Sequence, residues 1–185
     1  MFSKKRVFGG FVENIDRLDQ YKIVLSIRDP RDILVSDYYS KAFSHPVPPE
    51  NSGKTDKFLE ERRQAQSITI DEFALINSDK ILNIYRKYTQ NLLDRKNVGA
   101  LKYELMINDY SLFLDKLAFH SGLELPSKLK NALINKFELN KVKKEDKNKH
   151  NRKGIAGDYK QKLENSTIEK LNLTFKDILQ TYGYS

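Results

Sequence analysis

The chain has 185 residues, enough for one domain and too few for two of ordinary size. It contains no cysteine, which excludes disulfides, thiol nucleophiles and thiolate metal sites. Hydrophobic residues make up 39% and charged residues 31%, a composition that excludes both a disordered chain and an integral membrane protein.

The formal net charge is +8, and it is unevenly spread. Between Lys141 and Lys162 nine basic residues face three acids, so most of the excess lies in that stretch. Such a local excess implies an anionic partner without naming one. No apolar run reaches the roughly 18 residues that a membrane span requires. The opening MFSKKRVFGG carries positive charge but lacks the apolar core of a secretory signal. With cysteine absent as well, a cytoplasmic location is the expectation.

In chain order, a short edge strand is possible at residues 5–8, and the first clear element is YKIVLSI, residues 21–27. A β-branched run with few polar interruptions suits a strand buried on both faces, as in parallel sheets. It ends at Arg28-Asp29-Pro30-Arg31-Asp32. Asp29 suits an N-cap, Pro30 the first helical position and Asp32 the first turn. A helix is therefore predicted from there to about Phe43. HPVPPENSGKT, residues 45–55, is a proline-rich loop.

Thr69-Ile70-Asp71-Glu72 has the form of a capping box opening a helix through Leu75, which Asn77-Ser78-Asp79 is expected to break. A longer amphipathic helix then carries Ile81, Leu82, Ile84, Tyr85, Tyr88, Leu92 and Leu93. A second strand is predicted at ALKYEL, residues 100–105. A helix with Leu112, Phe113, Leu117 and Phe119 stops at Gly122, and Pro126 introduces another that runs to about residue 144. Residues 145–157 are polar, basic and glycine-punctuated, and are expected to form a mobile loop. Ser166-Thr167-Ile168-Glu169 resembles a second capping box, opening a last helix towards Thr181. Strands alternating with helices predict an α/β fold with a short parallel sheet flanked by helices.

Three places suit phosphate. Arg28 leaves the first strand at its carboxyl end, and Ser36 follows two turns along the helix that Asp29 opens. A guanidinium fork and a hydroxyl near a helix start suit an oxyanion; an arginine merely paired with a local acid is the ordinary alternative. Arg152-Lys153-Gly154, followed by Gly157, puts two cations beside backbone that an anion can approach closely. A solvated basic loop is the alternative there. Tyr103, at the end of the second strand, is placed to stack on a base or to sit as a half-buried aromatic.

The order of these segments resembles that of the sulfotransferases, which take 3′-phosphoadenosine 5′-phosphosulfate (PAPS) as donor. KIVLSIRDPRDILVSDYY resembles their 3′-phosphate-binding strand and helix, LKYELM their Tyr-Glu segment, and RKGIAGDYK their late RKGxxGDWK element. The resemblance runs from residue 21 to the C-terminus. It implies a P-loop-type sulfotransferase fold, and transfer of a sulfuryl group to a hydroxyl or amine of a small-molecule or carbohydrate acceptor. It implies that Arg28 and Ser36 hold the 3′-phosphate of PAPS or of adenosine 3′,5′-bisphosphate. Arg152, Lys153 and Gly154 would close over that phosphate, with Tyr103 beside the adenine. Tyr159 stands where the family usually has tryptophan.

Two family features are not found. The glycine-rich turn that wraps the 5′-phosphosulfate should lie well upstream of RDPRD, but only 27 residues precede Arg28 and Gly9-Gly10 has no Lys-Ser/Thr after it. Gly53-Lys54-Thr55 superficially resembles such a turn, without a strand before it. A single sulfotransferase domain over residues 1–185, incomplete at its N-terminal side, is the expectation. No catalytic base is assigned. His45 follows the first helix in a loop that could border the acceptor, His120 ends a helix, and His150 belongs to the basic loop. No spacing suggests a metal site. The alternatives are a nucleotide-binding remnant without transfer activity and a basic nucleic-acid-binding module. Salt separates the last: affinity for a polyanion should fall steeply with a slope set by many phosphates, whereas a nucleotide pocket should saturate one-to-one.

Overall fold

The computed structural model describes residues 17–142, 144–149 and 152–185. The edge strand expected at residues 5–8, the Gly9-Gly10 pair and His150 lie outside the described residues. Strand β1 (Ile23–Ile27) pairs in parallel with β2 (Val98–Lys102), in a register that sets Ile23 against Val98 and Ile27 against Lys102. Between them run α1 (Pro30–Tyr39), α2 (Thr55–Ser67) and α3 (Ile70–Tyr88). After β2 come α4 (Tyr103–Asn108), α5 (Tyr110–Ser121) and α6 (Ser127–Leu139). The chain closes with α7 (Tyr159–Lys162), α8 (Asn165–Thr174) and α9 (Lys176–Tyr182).

Helices cover both faces of the short sheet. Leu25 and Ile27 point into the main core, where Leu34, Val35, Tyr85, Leu171 and Phe175 are all buried. Successive strand residues face opposite ways, so Gly99 and Leu101 look to the other side, where α5 packs on β2. Cover is partial on both faces: Ser26 on the α5 side and Ala100 on the core side remain exposed, so the first strand alternates where burial on both faces was expected.

Several boundaries differ from the sequence reading. Asn77-Ser78-Asp79 does not interrupt α3. The Asn77 amide donates to the Phe73 carbonyl at 2.9 Å and the Ser78 hydroxyl to the Leu75 carbonyl at 2.8 Å, so these side chains bond within the helix they were expected to end. The Thr69–Glu72 capping box is formed. The Ser166 box is not: α8 starts at Asn165, and the Glu164 N–H is taken by Asp71 of α3 at 2.9 Å. The last helix divides at the fully buried Phe175. Strand β2 ends at Lys102, so Tyr103 opens a helix instead of closing a strand. Helix α6 stops at Leu139, short of residue 144, with Asn140 at its end.

Gly99 marks a close approach between β2 and α5. A Cβ there would lie 2.1 Å from Cγ of His120, whose ring fills the space beside the strand. Gly99→Ala is expected to lower the unfolding free energy by about 1–3 kcal/mol in urea denaturation. Adding His120→Ala should recover most of that loss, and no recovery would show that the His120 contact is not its cause.

Candidate functional site: a cleft at the carboxyl end of the sheet

The turn RDPRD gives its two arginines different work. Asp29 caps α1, accepting the Arg31 N–H at 2.9 Å, and Pro30 fills the first helical position. Arg31 is buried and spent inside the protein. Its guanidinium takes both Asp29 oxygens, at 3.0 and 2.7 Å, and donates to the Asn172 side chain and the Ser185 carbonyl. It also lies over the Tyr159 ring at 4.2 Å. Arg28 is held by its backbone instead: the Tyr85 hydroxyl accepts its N–H at 3.1 Å and donates to its carbonyl. That leaves the Arg28 side chain to turn outward over the Tyr103 ring, 4.3 Å from its centre.

Asp32, one turn into α1, reaches across the molecule. Fully buried, it accepts the N–H groups of Gly157 at 2.7 Å and Tyr159 at 2.9 Å. Burial pushes its carboxyl above the usual carboxylate range, and these amides and the Arg28 charge only partly offset that. The late loop is thus anchored to the start of α1. Gly154 and Gly157 adopt positive φ of 63° and 76°, which side-chain-bearing residues rarely take.

The cations of that loop are paired rather than loosely solvated. Arg152 bonds to both Glu145 and Asp158 and lies 4.1 Å over the Tyr39 ring. Lys153 Nζ is 2.9 Å from Asp158 Oδ1 and 2.8 Å from Gln161 Oε1. Burial raises the Asp158 carboxyl, but bonds from Lys153 and Arg152 outweigh it and hold the group below its ordinary value.

All six residues singled out in the sequence border one open cleft of about 860 Å³: Arg28, Ser36, Tyr103, Arg152, Lys153 and Gly154. They come from α1 and its turn, from the first residue of α4, and from the late loop. Arg28 Nε is buried with no hydrogen-bond partner among the described residues, while other parts of the side chain border the cleft. The arrangement therefore fits a phosphate-bearing ligand. Not singled out in the sequence are Phe137 and Asn140 at the end of α6 and Met106 and Ile107 of α4, which also line the cleft. The one signal was the helix end itself, and α6 was expected to continue past it.

His45 does not line the cleft; its ring packs 5.7 Å from Phe58. His120 sits in the last turn of α5 against Gly99, as its position before Gly122 implied. The Thr55 hydroxyl of Gly53-Lys54-Thr55 donates to proline carbonyls of its own loop. No helix among the described residues is long and apolar enough to cross a membrane.

A short parallel sheet flanked by helices, with a cleft beyond its carboxyl ends, makes this an α/β protein whose candidate site lies where open α/β sheets bind ligands. The family profile of the sulfotransferase domain matches residues 16–183, and the chain belongs to the sulfotransferase family. Among solved structures it is similar to mouse sulfotransferase SULT7A1 complexed with PAP. That match has a TM-score of 0.58 and 17% identity, over 86% of this chain and 58% of the mouse chain. The chain therefore spans less than two-thirds of the length of that relative. No curated protein matches the sequence.

Asp158 keeps Arg152 and Lys153 compensated, so Asp158→Ala should lower stability by roughly 3 kcal/mol. A carboxyl whose folded pKa is depressed stabilises above its unfolded value and loses that contribution as pH falls through the folded one. The difference between wild type and variant in chemical unfolding should therefore persist at neutral pH and vanish below the usual carboxylate range. A difference that does not change with pH would refute the ion-pair account.

Proposed function

We propose that this chain forms the 3′-phosphate and adenosine side of the donor site in a PAPS-dependent sulfotransferase. Its reaction would be transfer of a sulfuryl group to a hydroxyl or amine of a small-molecule or carbohydrate acceptor. One observation carries the reading: residues from three separated segments, chosen by their chemistry, border a single cleft. The family match and the PAP-bound relative support the choice of nucleotide.

In this reading the partly exposed Arg28 guanidinium and the Ser36 hydroxyl donate to the 3′-phosphate. Arg152 and Lys153 add charge from the late loop, and Gly154 lets its backbone come close. Tyr103 lies beside the adenine, in a cleft that Phe137 also lines. PAPS supplies an activated sulfuryl group when bound. The residues named here bind and orient it, and none is assigned the transfer chemistry. The absence of cysteine fits a cytoplasmic setting. A nucleic-acid-binding role finds less support, because Lys141, Arg152, Lys153 and Lys162 are each paired with an acid.

Titration calorimetry with adenosine 3′,5′-bisphosphate should show weak one-to-one binding. Arg152→Ala should weaken it by about tenfold to a hundredfold, the loss of a charged hydrogen bond. No binding at millimolar nucleotide, or binding indifferent to that substitution, would overturn the site. Labelled PAPS should give little or no turnover with this chain, and robust turnover would show that transfer residues are present.

A further inference from the structure

Behind the late loop, three cations and two carboxylates form a closed set. Arg152 joins Glu145 to Asp158. Lys153 Nζ lies 2.9 Å from Asp158 and 3.8 Å from Glu145, and Lys162 Nζ lies 3.0 Å from Glu145. The two carboxylates are not equivalent. Asp158 is 2% exposed and belongs to the loop that opens α7, where it holds Arg152 and Lys153 in place. Glu145 is 31% exposed and lies at the start of the basic stretch 145–157. It is a carboxylate gripped by three cations, two of which line the cleft. That is the coordination a phosphate oxygen needs.

We infer that Glu145 sets the affinity of the cleft, as a tethered carboxylate that competes with a ligand's phosphate for Arg152 and Lys153. The inference rests on the nucleotide reading above. Neither Glu145 nor Lys162 lines the cleft, so the two stay together when the other two cations turn to a ligand. Displacement therefore strands no buried charge. Asp158 remains, so the two cations stay aimed while the opposing charge is withdrawn. Glu145 thus lowers affinity without being needed for the shape of the site.

The test is Glu145→Gln, which keeps an acceptor oxygen and removes the charge. Calorimetry should show adenosine 3′,5′-bisphosphate binding about tenfold tighter to the variant than to wild type. Adenosine 5′-monophosphate, lacking the 3′-phosphate, should bind both alike. Unchanged or weaker binding of the bisphosphate overturns the inference, as does an equal gain for the monophosphate. A second measurement is independent of nucleotide recognition: the rise in Tm produced by inorganic phosphate. It should be larger for the variant, and equal shifts again overturn the role of Glu145. If neither protein binds nucleotide but the variant gains stabilisation from phosphate, the nucleotide reading fails and the role of Glu145 stands.

Discussion

The buried carboxylate of Asp32 joins the two halves of the cleft. It sits in the first turn of α1 and receives two backbone amides from a loop 125 residues later in the chain. Both partners are N–H groups, so neither depends on the side chain at its own position. Taking a carboxylate out of water is costly, and its raised proton affinity records that cost. The cost is tolerated because each bond serves twice. It satisfies an amide that would otherwise be orphaned, and it brings Arg152 and Lys153 to the side of the molecule where Arg28 emerges.

Around that anchor the charge is arranged more economically than a net +8 suggests. Arg31 is neutralised by Asp29 and enclosed beneath Tyr159. Among the described residues Arg28 is ion-paired only with Asp32, at 3.9 Å, and it borders the cleft. The C-terminal segment supports the same place. The Tyr184 hydroxyl donates to Glu104, whose other oxygen accepts the Asp29 N–H at 2.9 Å. The end of β2 and the cap of α1 are thereby held together, which fixes Tyr103 under the Arg28 guanidinium. What a cation can offer the cleft depends on the partners it already holds, not on how many cations exist.

Legibility followed the range of the interaction. The Asp29 cap, the Pro30 start and the Thr69–Glu72 box were readable because each is settled within one turn of helix. Asn77-Ser78-Asp79 misled because composition cannot say whether a polar side chain will bond back to its own helix or leave it. The end of β2 misled because Tyr103 and Glu104 suit a strand locally, and only their contacts with Arg28, Asp29 and Tyr184 place them in a turn and helix.

The candidate site divides in the same way. The sequence alone was enough to choose Arg28, Ser36, Tyr103, Arg152, Lys153 and Gly154, because phosphate chemistry demands particular side chains and particular backbone freedom. It also set the order of strand, helix and basic loop. The sequence could not say that Arg31 is spent on buried partners while Arg28 borders the cleft, since both flank the same Asp-Pro. Nor could it show that the basic stretch carries its own counterions in Glu145 and Asp158. Those outcomes depend on burial and on partners up to 154 residues apart. Such pairings are decided only when the chain has closed on itself, because the free energy of a charge depends on what surrounds it.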